Sequence, residues 1–432
     1  MRHSAGPASF AVALAAATVL LGCSEGDVAP SPTGWRERLR ATFYERTARD
    51  GSRWGAQLLD PLLAAGTRHL ADGRSHEHAI EEIDSLVAAL RRGLAMPPLE
   101  RALVQRDLWA IHDWAADAAG GHDRDAASRD RLETLAARLA ATMADLALEP
   151  ADVARLPDNL ARDAASGRNP TSWDPAHPER PFLPADLLDP KGSWVVLGAG
   201  ADRAVAPFHR IQHGGRSAFL VLVRLPTGID ATLRWVASAG AALAPHSERR
   251  TLPPDAAIPD PPRGTTLALL RRTLLVDRAG RVRSAPITER LQLRVLGAGA
   301  PTRDAAGRQV HGDATFEWTL DAKGWLDGNE TLVPAVPTTT DFVFRGHGED
   351  LFEDGAEGAQ ALPSPVLESC VACHGAHLGV TRAIQTLSHS LGEIGPLPVP
   401  LGPSTAQRET ESTVAWKEAR ADFARLREAF AK

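Results

Sequence analysis

The chain has 432 residues, a formal net charge of -6 and only three cysteines. That length allows two or three domains with a sizeable core, nothing in the acidic balance suggests a nucleic-acid partner, whose phosphates demand a basic face, and so few thiols exclude a disulfide framework. Ten tryptophans stand against one tyrosine, and they read as large core anchors.

At the N-terminus, Arg2 and His3 precede an apolar run over residues 10–21. The run is too short to cross a bilayer comfortably and has the form of a signal-peptide core. It ends in Leu20, Leu21, Gly22 and Cys23, with an aliphatic residue three places before the cysteine and a small one just before it. This ending resembles a bacterial lipoprotein signal. The resemblance implies cleavage before Cys23, lipidation of its thiol, and a mature protein tethered to the cell envelope, periplasm-facing or at the outer membrane. Ser24, where an aspartate would signal retention, favours the outer membrane within that resemblance. Residues 1–22 are then the signal peptide and residues 23–34, polar and proline-containing, a lipidated flexible tether. No later stretch approaches the apolar length of a membrane span.

Residues 35–167 carry helical periodicity. Leu103, Leu108, Ile111 and Trp114 fall near one face of one helix, and Leu132, Leu135, Leu139, Met143 and Leu146 recur at steps of three and four in the next. An antiparallel bundle of four to six helices is expected. Residues 168–192, with Pro170, Pro175, Pro178, Pro181, Pro184 and Pro190, form a proline-rich linker. Residues 193–345 shift toward strands, at 194–197, 218–225, 232–236, 265–276, 287–296, 314–320 and 342–344. Asp277, Arg278, Ala279 and Gly280 mark a turn between two of them. Short strands with turns between them suggest an antiparallel sandwich or barrel. Residues 346–432 return to helix, with a short helix over 378–391, a proline-rich loop and a terminal helix over 406–430 whose Trp416, Phe423, Leu426 and Phe430 share a stripe. The expected fold class is α+β: a helical domain, a β-rich domain and a C-terminal helical segment.

In that last segment Cys370, Val371, Ala372, Cys373 and His374 have the C-x-x-C-H form that attaches haem. Each thiol adds across one haem vinyl group, and the histidine becomes an axial ligand of the iron. Cys370 and Cys373 are the two cysteines left once Cys23 is assigned to the leader. Here the chain resembles the c-type cytochromes. The resemblance implies one haem c held by Cys370 and Cys373, His374 as proximal ligand, and a C-terminal helix, with Trp416 and Phe423, packed across the helix that begins at the motif. No methionine follows His374, so the usual distal ligand is missing. His389 and His347 are the distal candidates; His209 and His213, Met96 or Met143, and an open position remain alternatives. His377 sits on the same turn as His374 and cannot easily cross the ring. Without haem the two thiols would form a disulfide, a redox dithiol, or half of a zinc site completed by His377 and His389.

Glu349, Asp350, Glu353, Asp354 and Glu357 form an acidic patch upstream of the motif. It reads first as a solvated loop and second as a surface that steers a basic redox partner. His76, His78, Glu81 and Glu82 read as an exposed helix face rather than an ion site. Gly198, Gly200 and Arg203 imitate a dinucleotide fingerprint without its third glycine, which rejects it. The expectation is a mono-haem, cytochrome-like envelope lipoprotein that transfers single electrons to or from a partner protein. Its alternative is an envelope binding or scaffold lipoprotein with a structural or sensory haem. A third reading, an oxidoreductase with a pocket beside the haem segment, lacks a nameable acid–base pair.

Overall fold

The computed structural model describes residues 32–51, 53–55, 69–120, 125–199, 204–246, 259–303, 309–336, 339–349, 352, 357–365, 367 and 401–431. Its helical half is built from α1 (Pro32–Phe43), α2 (Gly73–Arg91), α3 (Pro98–Ala119) and α4 (Ala126–Leu146). Pro98 opens α3 at the position where its fixed φ suits a helix and its missing N–H costs nothing. Asp125 caps α4 by accepting from the Ser128 N–H at 2.7 Å. The α4 stripe of Leu132, Leu135, Leu139, Met143 and Leu146 is fully buried, as its spacing requires. In contrast, α3 is enclosed on almost every side: Leu103, Val104, Leu108, Trp109 and Ile111 are buried together with Arg106 and Asp113. It is the inner helix of the protein. A small ribbon pairs β1 (Glu45–Thr47) with β2 (Arg53–Gly55).

The central element is one open sheet of seven strands, every pair antiparallel, in the order β11-β3-β4-β5-β6-β7-β8. The strands are β3 (Val195–Gly198), β4 (Ser217–Arg224), β5 (Thr266–Val276), β6 (Val282–Arg303), β7 (Gln309–Leu320), β8 (Leu332–Pro334) and β11 (Gly402–Ser404). The turn at Asp277 to Gly280 joins β5 to β6, with Gly280 at φ 69°. A further pair, β9 (Thr340–Glu349) and β10 (Glu357–Pro365), forms a separate ribbon.

The expected sandwich or barrel is therefore replaced by a single sheet. The physical reason is that both faces are already covered. Side chains alternate across the sheet: Val195, Leu197, Val221, Val223 and Leu267 pack under α8 (Ile229–Leu243). Leu220, Leu222, Leu270, Leu293, Phe316 and Trp318 pack on the opposite side. There the cover is α6 (Asn159–Ala165) and the proline-rich segment, whose Phe182, Leu183 and Leu187 are buried. Residues 168–192 are thus a packed layer of the sheet rather than a free linker, with the Trp318 indole N–H donating to the Phe182 carbonyl at 3.0 Å.

Three other expectations change. Residues 346–349 and 357–365, expected within the C-terminal helical segment, are strand, in β9 and β10, so the expected boundary at 345/346 falls inside β9. Residues 232–236 lie inside α8, not in a strand. Their apolar pattern continues as Trp235, Val236, Ala239 and Leu243, the spacing of a helix face, and a five-residue window is too short to reveal it. The terminal helix divides into α10 (Ala406–Glu418) and α11 (Ala421–Glu428). Phe423 and Leu426 enter the bundle core, in one cluster with Leu108, Leu139, Leu274 and Val276. Trp416 leaves that stripe and stacks under Arg210 and Arg420. Because the same cluster contains residues of α2, α3, α4, β5 and α11, the helical and strand regions share a core.

If the proline-rich segment is core, Leu183→Ala should lower unfolding stability by about 2–5 kcal/mol, read from the urea midpoint at unchanged slope. A shift near zero would identify the segment as a detachable linker.

Candidate functional site

Cys370, Cys373 and His374 lie outside the described residues, as do His377, His389 and Cys23. The chain on either side of the motif is described. Upstream, β10 pairs with β9 through the register Glu357↔Glu349 to Pro365↔Thr340. His347 lies within β9, opposite Ala359, in place of the flexible stretch expected there. Downstream, Leu401 is buried against α8. Gly240 of α8 permits this, because a Cβ there would collide with the Leu401 carbonyl. Residues 402–404 then pair with β3 as Gly402↔Gly198, Pro403↔Leu197 and Ser404↔Val196. The chain that follows the motif is therefore tied into the edge of the sheet.

After that edge come α10 and α11, which meet α3 at a buried ionic centre. The Lys417 ammonium has no exposed side-chain surface and donates to Asp113 Oδ2 at 2.7 Å and Asp422 Oδ2 at 2.9 Å. The Arg216 guanidinium donates to the same Asp113 oxygen at 3.0 Å, and His112 Nδ1–H donates to Asp113 Oδ1 at 3.2 Å. Arg420 Nε–H donates to Asp422 Oδ1 at 3.0 Å. Burial alone would raise the Asp113 carboxyl, but Lys417, the His112 hydrogen bond and Arg216 together hold it far below the ordinary carboxylate range. Asp422 is also lowered: burial opposes its charge, and Lys417 outweighs it with help from Arg420.

Local backbone makes this meeting possible. Helix α7 (Pro207–Gln212) ends in Gly214 and Gly215, both at positive φ, 58° and 69°. A Cβ on Gly215 would lie 2.6 Å from the Trp416 ring. The glycine thus lets α10 approach closely enough for Arg216 and Lys417 to share Asp113. A second buried cluster sits beside it. Glu289 of β6 pairs with Arg271 of β5 and accepts from the Ser217 hydroxyl at 2.7 Å and the Thr273 hydroxyl at 2.9 Å. Arg106 of α3 lies 3.7 Å from the other Glu289 oxygen. Burial would raise Glu289, and Arg271 and Arg106 reverse that. Both clusters keep their carboxylates ionised, so they act as clamps between elements and not as proton donors.

The remaining expected residues have structural roles. Met143 is fully enclosed and Met96 nearly so, both in the bundle core. His209 lies on α7 and His213 at its C-terminal cap; their rings pack on Phe219 with centroids 5.5 Å and 5.2 Å away. His76 Nδ1 lies 3.0 Å from the Leu70 carbonyl, His78 Nε2 is 3.4 Å from the Thr42 hydroxyl, and Glu82 pairs with Arg38. Gly198 ends β3, and Gly200 and Arg203 lie outside the described residues. So do Asp350, Glu353 and Asp354, while Glu349 and Glu357 stand opposite each other in the ribbon. Among the described residues no group of three or more His, Cys, Asp or Glu is arranged to hold a metal, and no helix is long and apolar enough to cross a membrane.

Sequence reasoning missed the ionic centre. Its signal was present in α3, where Arg106, Asp107, His112 and Asp113 alternate with the large apolar residues Leu103, Leu108, Trp109 and Ile111. Lys417 beside Trp416 gave the matching sign in α10. Nothing in the sequence paired them across some 300 intervening positions.

Lys417→Met should cost about 3–5 kcal/mol by leaving Asp113 buried and under-compensated. The double variant with Asp113→Asn should lose less than the two single losses combined, measured by urea unfolding. Acid should have a related effect. The folded-state values of Asp113, Asp422 and Glu289 are depressed, so their stabilisation is complete above the unfolded carboxylate range, about pH 4, and is lost as pH falls below it. Urea midpoints followed down to about pH 3 should therefore fall, and Asp113→Asn should show a shallower fall. Compared with known proteins, the chain matches no family model, no curated protein and no solved structure.

Proposed function

We propose that this protein is a mono-haem, cytochrome-like lipoprotein of the bacterial envelope that passes single electrons to or from a partner protein. One observation carries the reading: the only two cysteines beyond Cys23 stand with His374 in the C-x-x-C-H spacing. The donor set fits the group, with two thiols for the two vinyl positions and one imidazole for the iron. In attachment each S–H adds across a C=C, forming one C–S and one C–H bond with nothing leaving. Haem, when bound, supplies a one-electron iron couple whose potential is tuned by ligand, burial and hydrogen bonding.

The chain's own residues supply attachment and position. Cys370 and Cys373 would hold the macrocycle, and His374 would ligate its iron. The enclosure of Met96 and Met143 in the helical core favours a histidine, His389 or His347, as the second ligand. Leu401 and β11 anchor the chain where it leaves the segment. Cys23 would carry the lipid that keeps the protein at the membrane surface. The acidic residues at Glu349 and Glu357 suit a partner with a basic docking face.

Expression with the haem-attachment machinery tests the reading. The mature chain should gain the mass of one haem and give a c-type pyridine haemochrome spectrum. Cys370→Ser/Cys373→Ser should be colourless with an unchanged far-ultraviolet dichroism spectrum. Cys23→Ala should move the protein from the membrane fraction to the soluble one while leaving the haem spectrum intact. A wild-type product without covalent haem would reject the proposal.

A further inference from the structure

Asparagine is rare in this chain and occurs only as Asn159, Asn169 and Asn329. Two of these stand two places before a threonine, in Asn169-Pro170-Thr171 and Asn329-Glu330-Thr331. This tripeptide is the acceptor signal for N-linked glycan on the surface loops of exported proteins, provided that its middle residue is not proline. Pro170 disqualifies the first, and the second remains. Asp327, two places before Asn329, adds a carboxylate that offers a transferase a charge-assisted contact beside the tripeptide.

The fold treats the two ends of the signal in opposite ways. Asn329 lies in the turn between α9 (Ala322–Leu326) and β8. Gly328 enters that turn at a φ of 84°, the Asn329 N–H donates to the Gly324 carbonyl at 2.7 Å, and the Arg162 guanidinium donates to the Asn329 carbonyl at 3.0 Å. The backbone is thus held, while the residue is exposed and its side-chain amide makes no hydrogen bond among the described residues. A glycan there projects into solvent and displaces no contact. Thr331, in contrast, is fully buried, and its hydroxyl donates to Asp163 Oδ2 at 2.6 Å. The same carboxylate oxygen accepts from the Thr331 and Leu332 N–H groups at 3.0 and 2.7 Å. An enzyme that tells threonine from valine must reach that hydroxyl, and the folded protein keeps it from any enzyme.

We propose that Asn329 is an acceptor for N-linked glycan, loaded during export, before Thr331 docks on Asp163. The donor class is an oligosaccharide carried on a polyprenyl pyrophosphate in the membrane that the chain crosses. Asn329 Nδ2 attacks the anomeric carbon, so that one C–N bond forms as the C–O bond to pyrophosphate breaks. One Nδ2 proton passes to a base of the transferase, the polyprenyl pyrophosphate leaves, and nothing is oxidised or reduced. The inference rests on the export part of the proposed function and is independent of haem.

The test is expression of the full chain in bacteria that carry an envelope oligosaccharyltransferase and its lipid-linked oligosaccharide. Peptide mass spectrometry of chains that have lost their leader should find one glycan on Asn329 and a bare Asn169. Asn329→Gln, at an exposed turn position, should lose the glycan and keep the urea midpoint. Purified, unmodified wild-type chain offered to the same enzyme and donor should gain no glycan while folded. Asp163→Ala, which releases the Thr331 hydroxyl whether or not the rest of the chain folds, should be modified in that assay. Leader-processed chain with a bare Asn329, glycan retained in Asn329→Gln, or Asp163→Ala left unmodified would overturn this proposal alone. Glycan added to the folded wild-type chain would overturn the proposed order of events, and a chain that keeps its leader in the cytoplasm would overturn the export reading and this proposal with it.

Discussion

The protein depends on a buried ion pair between helices far apart in sequence. Lys417 of α10 and Asp113 of α3 meet at 2.7 Å with no access to solvent. Neither charge is tolerable there alone, because burial strongly penalises an isolated ion. Asp422 and Arg216 complete the arrangement, so α3, α10, α11 and the start of β4 must assemble together. Such a centre adds less net stability than an apolar one of similar volume. What it imposes is a unique arrangement: each carboxylate finds its cations only when all four elements are in register.

The sheet turns that local constraint into the architecture. Its strands are buried on both sides, beneath α8 on one and beneath α6 with the proline-rich layer on the other. At its end, Leu274 and Val276 continue into the helical core beside Phe423 and Leu426. Gln105 of α3 joins the two by accepting from the Val276 N–H at 3.0 Å and donating to the Val276 carbonyl at 2.9 Å. On either side of the segment proposed to carry haem the chain is paired, in the β9–β10 ribbon before it and at the sheet edge under α8 after it. The terminal helices proposed as cytochrome packing partners already have a role, since Phe423 and Leu426 are fully buried in the bundle.

Much of the secondary structure was legible because one burial period dominated locally. The α4 stripe from Leu132 to Leu146 and the β5–β6 hairpin around Asp277 belong to this group. Residues 232–236 misled because five apolar-rich positions fit a strand as well as a helix. Only their continuation to Leu243 separates the two. The prolines of residues 168–192 mark irregular backbone, and irregular backbone can be a linker or a packed layer. Phe182, Leu183 and Leu187 make it a layer here because they face the apolar side of the sheet.

By itself, the sequence determined the α+β class and most element positions among the described residues, since these rest on short-range spacing, and it supplies the Cys370, Cys373 and His374 motif on which the proposed haem attachment rests. Only the tertiary structure decided that the strands form one open sheet, that helical and strand regions share a core, and that Arg106, Asp113, Arg271, Glu289 and Lys417 lie at its centre. The reason is physical. A charge in a sequence carries no mark of its solvent, and whether it is a surface solubiliser or a buried clamp depends on an oppositely charged group brought to it by the fold.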